Sequence, residues 1–281
     1  MYLGIDIGGT KIQGAYLRGD EVILTAKLAT PTSYEPLLAA LADIAGEASA
    51  ATGKPVTHLG VGVPGTATGR RVTWTPNLPY LDGKPLADDL GERLGAEAMV
   101  GNDAQFALLG EAWRGAASEY QNVALVSVGT GVGGAIMMQG KIVRGSHGSA
   151  GAFGWLNLDL RAAPDPNHGY TELHASGAAL DAMAQALDPP WTSYEVVAGA
   201  RAGDAICAGL VDELAQTLGA ACASIASILD PDVILLSGGL TDAFDLLESP
   251  LRASLRAYGS PSVRETPIVV GQLGRHAAAY G

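Results

Sequence analysis

Alternating apolar and polar side chains open this chain. Leu3 to Lys11 reads LGIDIGGTK, a short apolar run that ends in Asp6, two glycines, a threonine and a lysine. IQGAYL, Arg18-Gly19-Asp20 and VILTAKL follow. Period-two alternation punctuated by Gly and Asp predicts strand, turn, strand, turn, strand. The first glycine turn therefore joins antiparallel strands and opens no helix. Glycines at such a turn let backbone N–H groups come close to a ligand, which suits phosphate oxygens.

Helical spacing comes next. Leu37, Leu38, Leu41, Ile44, Ala45 and Ala48 predict a helix over Glu35 to Ala51. His58 to Val63 (HLGVGV) predicts a buried strand ended by Pro64-Gly65, and Thr73 to Pro79 is irregular. Leu86 to Leu94 predicts a short helix with Pro85 at its start. Glu97 to Gly101 is a further strand that delivers Asn102 and Asp103, and helical periodicity resumes through Phe106, Leu109 and Trp113.

The opening plan then repeats. Val123 to Val128 predicts a strand, Gly129 to Gly134 is GTGVGG, and Ala135 to Met138 predicts a strand closed at Gln139-Gly140. Two hairpins of one plan imply two related halves. Residues 145–172 are punctuated by Gly and Pro and lack periodicity, and loops of that length are commonly functional. A long helix is predicted from Asp204 to Leu229, its stripe being Ile206, Leu210, Leu214, Leu218, Cys222, Ile225 and Leu229. Val233 to Leu236 is a buried strand running into Ser237-Gly238-Gly239-Leu240, and Ile268 to Val270 is the last strand.

Composition narrows the class. The 281 residues leave room for two domains, and 48% hydrophobic content with 38 glycines describes a globular, turn-rich chain. A formal charge of -12 and a pI near 4.7 argue against nucleic acid or an anionic membrane as partner. Cys207 and Cys222, both in helix-like apolar surroundings, read as small core residues in a reducing compartment. Asp6 interrupts the N-terminus before a secretory apolar stretch could form. Gln121 to Gly140 lacks charge, but its five glycines, Ser127 and Thr130 divide it into two short strands rather than a membrane span. The expected protein is soluble and cytoplasmic.

Two motifs bear on chemistry. Gly129-x-Gly131-x-x-Gly134 has the dinucleotide-fingerprint spacing, but that fingerprint requires a helix immediately after it, and AIMMQGKIV is a hairpin. Asn102-Asp103 stands at a strand end, where two readings are open. It is a helix N-cap, or a carboxylate placed to accept a proton from a substrate hydroxyl. Phosphoryl transfer asks little more of a protein than that base, bound metal and donors around the phosphates.

Taken together, DIGGTK (6–11), VGVPG (61–65), PNLP (76–79), GNDAQFALLGE (101–111), GTGVGGAI (129–136), SAG (149–151), E-x-x-x-SG (172–177) and LSGGL (236–240) resemble the ROK family of sugar kinases, within the actin–hexokinase superfamily. The resemblance spans nearly the whole chain in order. It implies an α/β fold of two actin-like, ribonuclease-H-like ATPase domains with ATP and sugar in the intervening cleft. The expected boundaries are 1–116 plus 268–281 for the smaller domain and 117–267 for the larger. By position, Asp6 would help organise Mg²⁺ indirectly, and Gly8, Gly9, Thr10 and Lys11 would surround the transferring phosphate. Asp103 would be the general base, with Asn102, Asn77, Gly65 and Glu172 contacting the sugar. Gly129, Thr130, Gly131, Gly133 and Gly134 would hold phosphates, and Gly238 and Gly239 would pass near the adenosine. A homodimer is the family default. The same family includes sugar-sensing repressors, which carry a helix-turn-helix ahead of the first hairpin. Here the chain begins at the strand and keeps Asp103, so the kinase is expected over the non-catalytic sensor.

One region departs from the family. The usual AGE-x-GH and cysteine knuckle, which bind structural zinc, read here as Ala150-Gly151-Ala152-Phe153-Gly154-Trp155 and DPNHGYTE. No cysteine remains there, so no zinc is expected. The missing Glu and His would bind hydroxyls near the reducing end of an aldose. A charged hydrogen bond is worth about 1.5–3 kcal/mol, so a substrate altered at that end is expected, facing Trp155. The competing reading is that Trp155 only packs the loop.

Overall fold

The computed structural model describes residues 1–281. They divide into two compact units, one of residues 1–118, 142–150 and 275–281, the other of 119–141 and 151–274. The strand Ile268–Val270, expected with the first unit, pairs instead in the sheet of the second. The reason is its register: an apolar Ile-Val-Val run continues a parallel sheet whose neighbour, Val233–Ser237, is apolar as well.

The first unit is built on a sheet of strands β1 (Tyr2–Ile7), β2 (Lys11–Arg18), β3 (Glu21–Leu24), β4 (Leu28–Ala29) and β5 (His58–Val63). A separate small hairpin of β6 (Thr66–Ala67) and β7 (Val72–Trp74) comes between β5 and β8 (Glu97–Asn102). The order is β3-β2-β1-β5-β8, with β4 beside β2. β1, β2 and β3 are antiparallel, whereas β1, β5 and β8 run parallel. Strict alternation along β1 sends Leu3, Ile5 and Ile7 into the core and leaves Gly4 and Asp6 on the opposite face. Helix α1 (Tyr34–Thr52) covers the core face with Leu37, Leu41 and Ile44, and α2 (Leu86–Leu94) adds Leu90. Helix α3 (Asp103–Arg114) starts at the end of β8.

The second unit repeats the plan. β9 (Val123–Val128) and β10 (Val132–Met138) form the antiparallel hairpin, followed by edge strand β11 (Lys141–Val143), which pairs with this sheet although residues 142–150 are grouped with the first unit. β9 then runs parallel to β12 (Val233–Ser237), and β12 to β13 (Ile268–Val270), in the order β11-β10-β9-β12-β13. Helices α4 (Tyr170–Ala175), α5 (Gly177–Gln185), α6 (Ser193–Arg201), α7 (Ala205–Leu229) and α8 (Phe244–Tyr258) pack about it, and α9 (Ala277–Tyr280) returns to the first unit.

α7 is long and apolar enough to cross a membrane, yet it contributes Cys207, Val211, Leu214, Leu218, Cys222 and Ile225 to the core with β9 and β12. Its buried stripe starts at Cys207 and Val211, not at Ile206, which is exposed. Counting back from Leu214 in fours drifts by about 40° a step on a helix of 3.6 residues per turn. Steps of three and four hold the face.

Candidate active site

The parallel strands of the first unit finish on one edge of their sheet. Register pairs Asp6 with Gly62 and Val63 with Asn102, so the ends of β1, β5 and β8 deliver the Gly8–Lys11 turn, Gly65 and Asn102-Asp103 as neighbours. Ligands of open α/β sheets bind outside such strand ends. A methyl group added to Gly62 would lie 3.5 Å from Asp103 Cα and 3.6 Å from Asp6 Oδ1, which places both acids around one glycine. One added to Gly9 would lie 3.6 Å from Asn77 Cβ.

Asn102 is the N-cap of α3. Its Oδ1 accepts the Gln105 N–H at 3.1 Å, and its Nδ2 donates to Gly65 O at 2.8 Å and to Asp103 Oδ1 at 3.1 Å. The capping reading of the sequence is therefore what the structure shows, and the carboxamide is fully engaged within the protein. Ala104 N–H donates to the same Asp103 Oδ1 at 2.8 Å, leaving Oδ2 as the oxygen without a protein donor. Burial pushes the Asp103 carboxyl up to about 6, against backbone N–H groups that favour its charged form. Burial, with the Asp103 charge nearby, pushes Asp6 up to about 7. Such paired, raised carboxyls are suited to taking a proton near neutral pH or to sharing a cation.

The first turn is closed by Gly8 N–H to Lys11 O at 2.8 Å. Thr30 ties its carbonyls back, donating Oγ1–H to Gly8 O at 2.7 Å and N–H to Thr10 O at 3.0 Å. The N–H groups of Gly9 and Thr10 meet no acceptor in the protein. Lys11 is exposed at the start of β2.

The second turn has the same chemistry from different parts. Gly129 N–H donates to Gly131 O at 2.9 Å, while Gly177 and Ala178, at the start of α5, donate to Gly129 O at 2.7 Å and Thr130 O at 3.1 Å. Thr130 and Gly131 keep free N–H groups. Gly133 and Gly134 lie in β10, opposite Ser127 and Val126, and not in the turn. Gly134 is a packing glycine, since a Cβ there would lie 2.3 Å from the Phe153 ring. Gly238, at φ 94°, sits against the end of β9, where a Cβ would lie 2.4 Å from Val128 O; Gly239 begins a short 3₁₀ turn.

Glu172, on α4, points its Oε2 at the second turn and accepts the Val132 N–H at 2.8 Å. Trp155 ends a 3₁₀ turn in which Phe153 is buried and Trp155 is 49% exposed. Beyond it, Asp165 Oδ1 accepts the N–H groups of Asn167 and His168 at 2.7 and 2.8 Å, and His174 stacks on Tyr170 at 4.0 Å. Groups of three or more His, Cys, Asp or Glu placed to hold a metal ion are absent. An apolar cavity of about 560 Å³ in the first unit, lined by Tyr2, Tyr16, Met99, Phe106, Trp113 and Tyr280 among others, includes none of Asp6, Gly8 to Lys11 or Asp103. Sequence reasoning passed over Thr30 and Ala178, and met Gly177 only as the end of the 172–177 motif, because backbone and hydroxyl ties to a turn leave no spacing signature.

Comparison with known proteins bears on the family and the fold. The chain is 31% identical over 308 residues to a glucokinase of Streptomyces coelicolor, covering 99% of this chain and 95% of that protein. It is 33% identical over 297 residues to an N-acetyl-D-glucosamine kinase of Pectobacterium atrosepticum, covering 100% and 96%. Among solved structures, it is similar to a ROK family glucokinase from Streptomyces griseus in complex with glucose and AMPPNP, at TM-score 0.83, 30% identity and coverage of 99% and 96%. A ROK hexokinase from Thermus thermophilus is similar at TM-score 0.85 and 28% identity, covering 99% and 95%. Residues 2–281 match the ROK family as a whole. With residues 2–281 matched and relatives above 30% identity along its length, this chain belongs to the ROK family.

Proposed function

We propose that this protein is an ATP-dependent kinase that phosphorylates a primary hydroxyl of a hexose-type sugar. The observation that carries the reading is Asp103, with Oδ1 held by two donors and Oδ2 free, beside Asp6 and a turn that offers unpaired N–H groups. Oδ2 is the atom that accepts the hydroxyl proton as the sugar oxygen attacks the γ-phosphorus and the bond to the β,γ-bridging oxygen breaks, releasing ADP. Proton acceptance by a positioned carboxylate contributes roughly 10²- to 10⁴-fold. The N–H groups of Gly9 and Thr10, with Lys11, and separately those of Thr130 and Gly131, take phosphate oxygens, where fixed donors favour developing charge. Gly238 and Gly239 lie at a strand end that suits the nucleoside.

Asp6 receives no protein hydrogen bond and is driven toward neutrality by burial and by Asp103, so a cation offsets an existing electrostatic cost. That fits Mg²⁺, which commonly binds through one or two carboxylates, waters and substrate phosphates. When bound, Mg²⁺ neutralises charge on the phosphates. In the knuckle region Asp165 holds the turn by accepting the N–H groups of Asn167 and His168, which supports a reading without zinc.

Sugar contacts are assigned to Asn77 and Gly65 at the same strand edge, and Trp155 offers an aromatic face for a ring altered near its reducing end. Glucose, N-acetylglucosamine, their 1-O-methyl glycosides and a ketohexose, each in a coupled ADP assay with ATP and Mg²⁺, test the assignment. Turnover of at least one hexose supports it. Binding of sugar with no turnover of any would move the protein to the sensor class. Free glucose at the lowest KM of the panel would remove the altered-substrate reading.

A further inference from the structure

We infer that Thr30 is a positioning residue for the phosphate-binding turn of the first unit, acting through the backbone of Gly8 and Thr10. This rests on the phosphate reading above. The turn Gly8–Lys11 contains carbonyls as well as N–H groups, and a carbonyl aimed at a phosphate oxygen is repulsive. Thr30 removes that problem twice from one residue: its hydroxyl takes Gly8 O at 2.7 Å and its N–H takes Thr10 O at 3.0 Å. With both carbonyls drawn to one side, the N–H groups of Gly9 and Thr10 are left as the groups on offer.

Local structure explains how Thr30 arrives there. The edge strand beside β2 is broken into two pieces. Thr25 ends the first by a reciprocal pair with Gly14, whose N–H donates to Thr25 Oγ1 at 2.9 Å and whose carbonyl accepts Thr25 N–H at 2.9 Å. Pairing resumes at β4, where Leu28 faces Ile12 and Ala29 faces Lys11. The two-residue β4 contributes little to the core, since both its residues are exposed. What it does is carry the chain one residue past Lys11, so that Thr30 reaches the turn.

The second unit supports the inference by doing the same thing with unrelated parts. There Gly177 and Ala178 take Gly129 O and Thr130 O, again freeing two N–H groups. Two turns of one plan, each with its carbonyls tied back by a different device, point to the tying as a functional requirement.

The test compares Thr30→Val, which keeps shape and loses the hydroxyl, with Thr30→Ser, which keeps it. The readouts are the calorimetric Kd for AMPPNP with Mg²⁺, and KM for ATP and for sugar separately. One neutral hydrogen bond corresponds to roughly a 3- to 10-fold change. Thr30→Val is expected to weaken AMPPNP and raise KM for ATP by about that factor, leave KM for the sugar within twofold, and be rescued by Thr30→Ser. Equal AMPPNP affinity in wild type and Thr30→Val, or equal loss in KM for both substrates, overturns the inference. Should Thr30→Val not fold, Thr30→Ala provides the same comparison. Wild-type protein that binds no AMPPNP would instead defeat the phosphate reading itself.

Discussion

Asn102 Nδ2 donates to Oδ1 of the adjacent Asp103 at 3.1 Å, on the same oxygen that accepts the Ala104 N–H, so both protein donors fall on one side of the carboxylate. The same carboxamide caps α3 and holds Gly65 O. Asn102→Ser separates these tasks, because serine is an equally good cap but cannot reach the other two partners. The expected result is a kcat lower by roughly 10- to 100-fold, the range for hydrogen bonds to charged groups, with a melting temperature close to that of wild type. A rise in sugar KM at constant kcat would show direct contact with the sugar instead.

Asp103→Asn removes the proposed proton acceptor while preserving shape. kcat is expected to fall by about 10²- to 10⁴-fold, with AMPPNP affinity within threefold of wild type. Steady-state kinetics and calorimetry on one preparation check both halves.

The raised acids give stability a definite pH dependence. Folded values of about 7 for Asp6 and about 6 for Asp103 lie above the ordinary value of 3.8. The folded state therefore holds protons that the unfolded state has released. Their contribution is fully present below about pH 4 and is lost as pH rises through 6 and 7. Wild-type melting temperature without Mg²⁺ should fall across that window relative to Asp103→Asn, whose profile should be flatter. Scanning calorimetry at pH 5 and pH 7.5 on both proteins makes the comparison.

Glu172 is held to the second turn through Val132 N–H at 2.8 Å. If bracing that turn is its main task, Glu172→Ala raises KM for ATP by roughly tenfold or more and leaves sugar KM within twofold. The reverse split would return Glu172 to the sugar.

Much of this was legible from residues alone, for physical reasons. The two hairpins, β5, β12 and α1 were readable because alternation and helical spacing report burial directly. α8 was also within reach, since Phe244, Leu247, Leu251 and Leu255 step at helical spacing, although Pro250 inside it masks the run. α6 carries a capping box, Thr192 with Glu195, that announces its start. Asn102-Asp103 was visible as a pair but not as a mutual hydrogen bond, because a strand end serves caps and bases alike. Gly133 and Gly134 looked like turn residues; only the β9–β10 register places them in a strand. Thr30 was out of reach, because its partners are backbone carbonyls some twenty residues away.

The return of residues 275–281 to the first unit has a consequence for biosynthesis. α9 lies so close to β1 and α3 that a Cβ on Gly4 would meet Ala279 O and one on Gly110 would meet Ala277 O. During synthesis that face of the first sheet therefore cannot close before residues 275–281 are made, well after the rest of its unit.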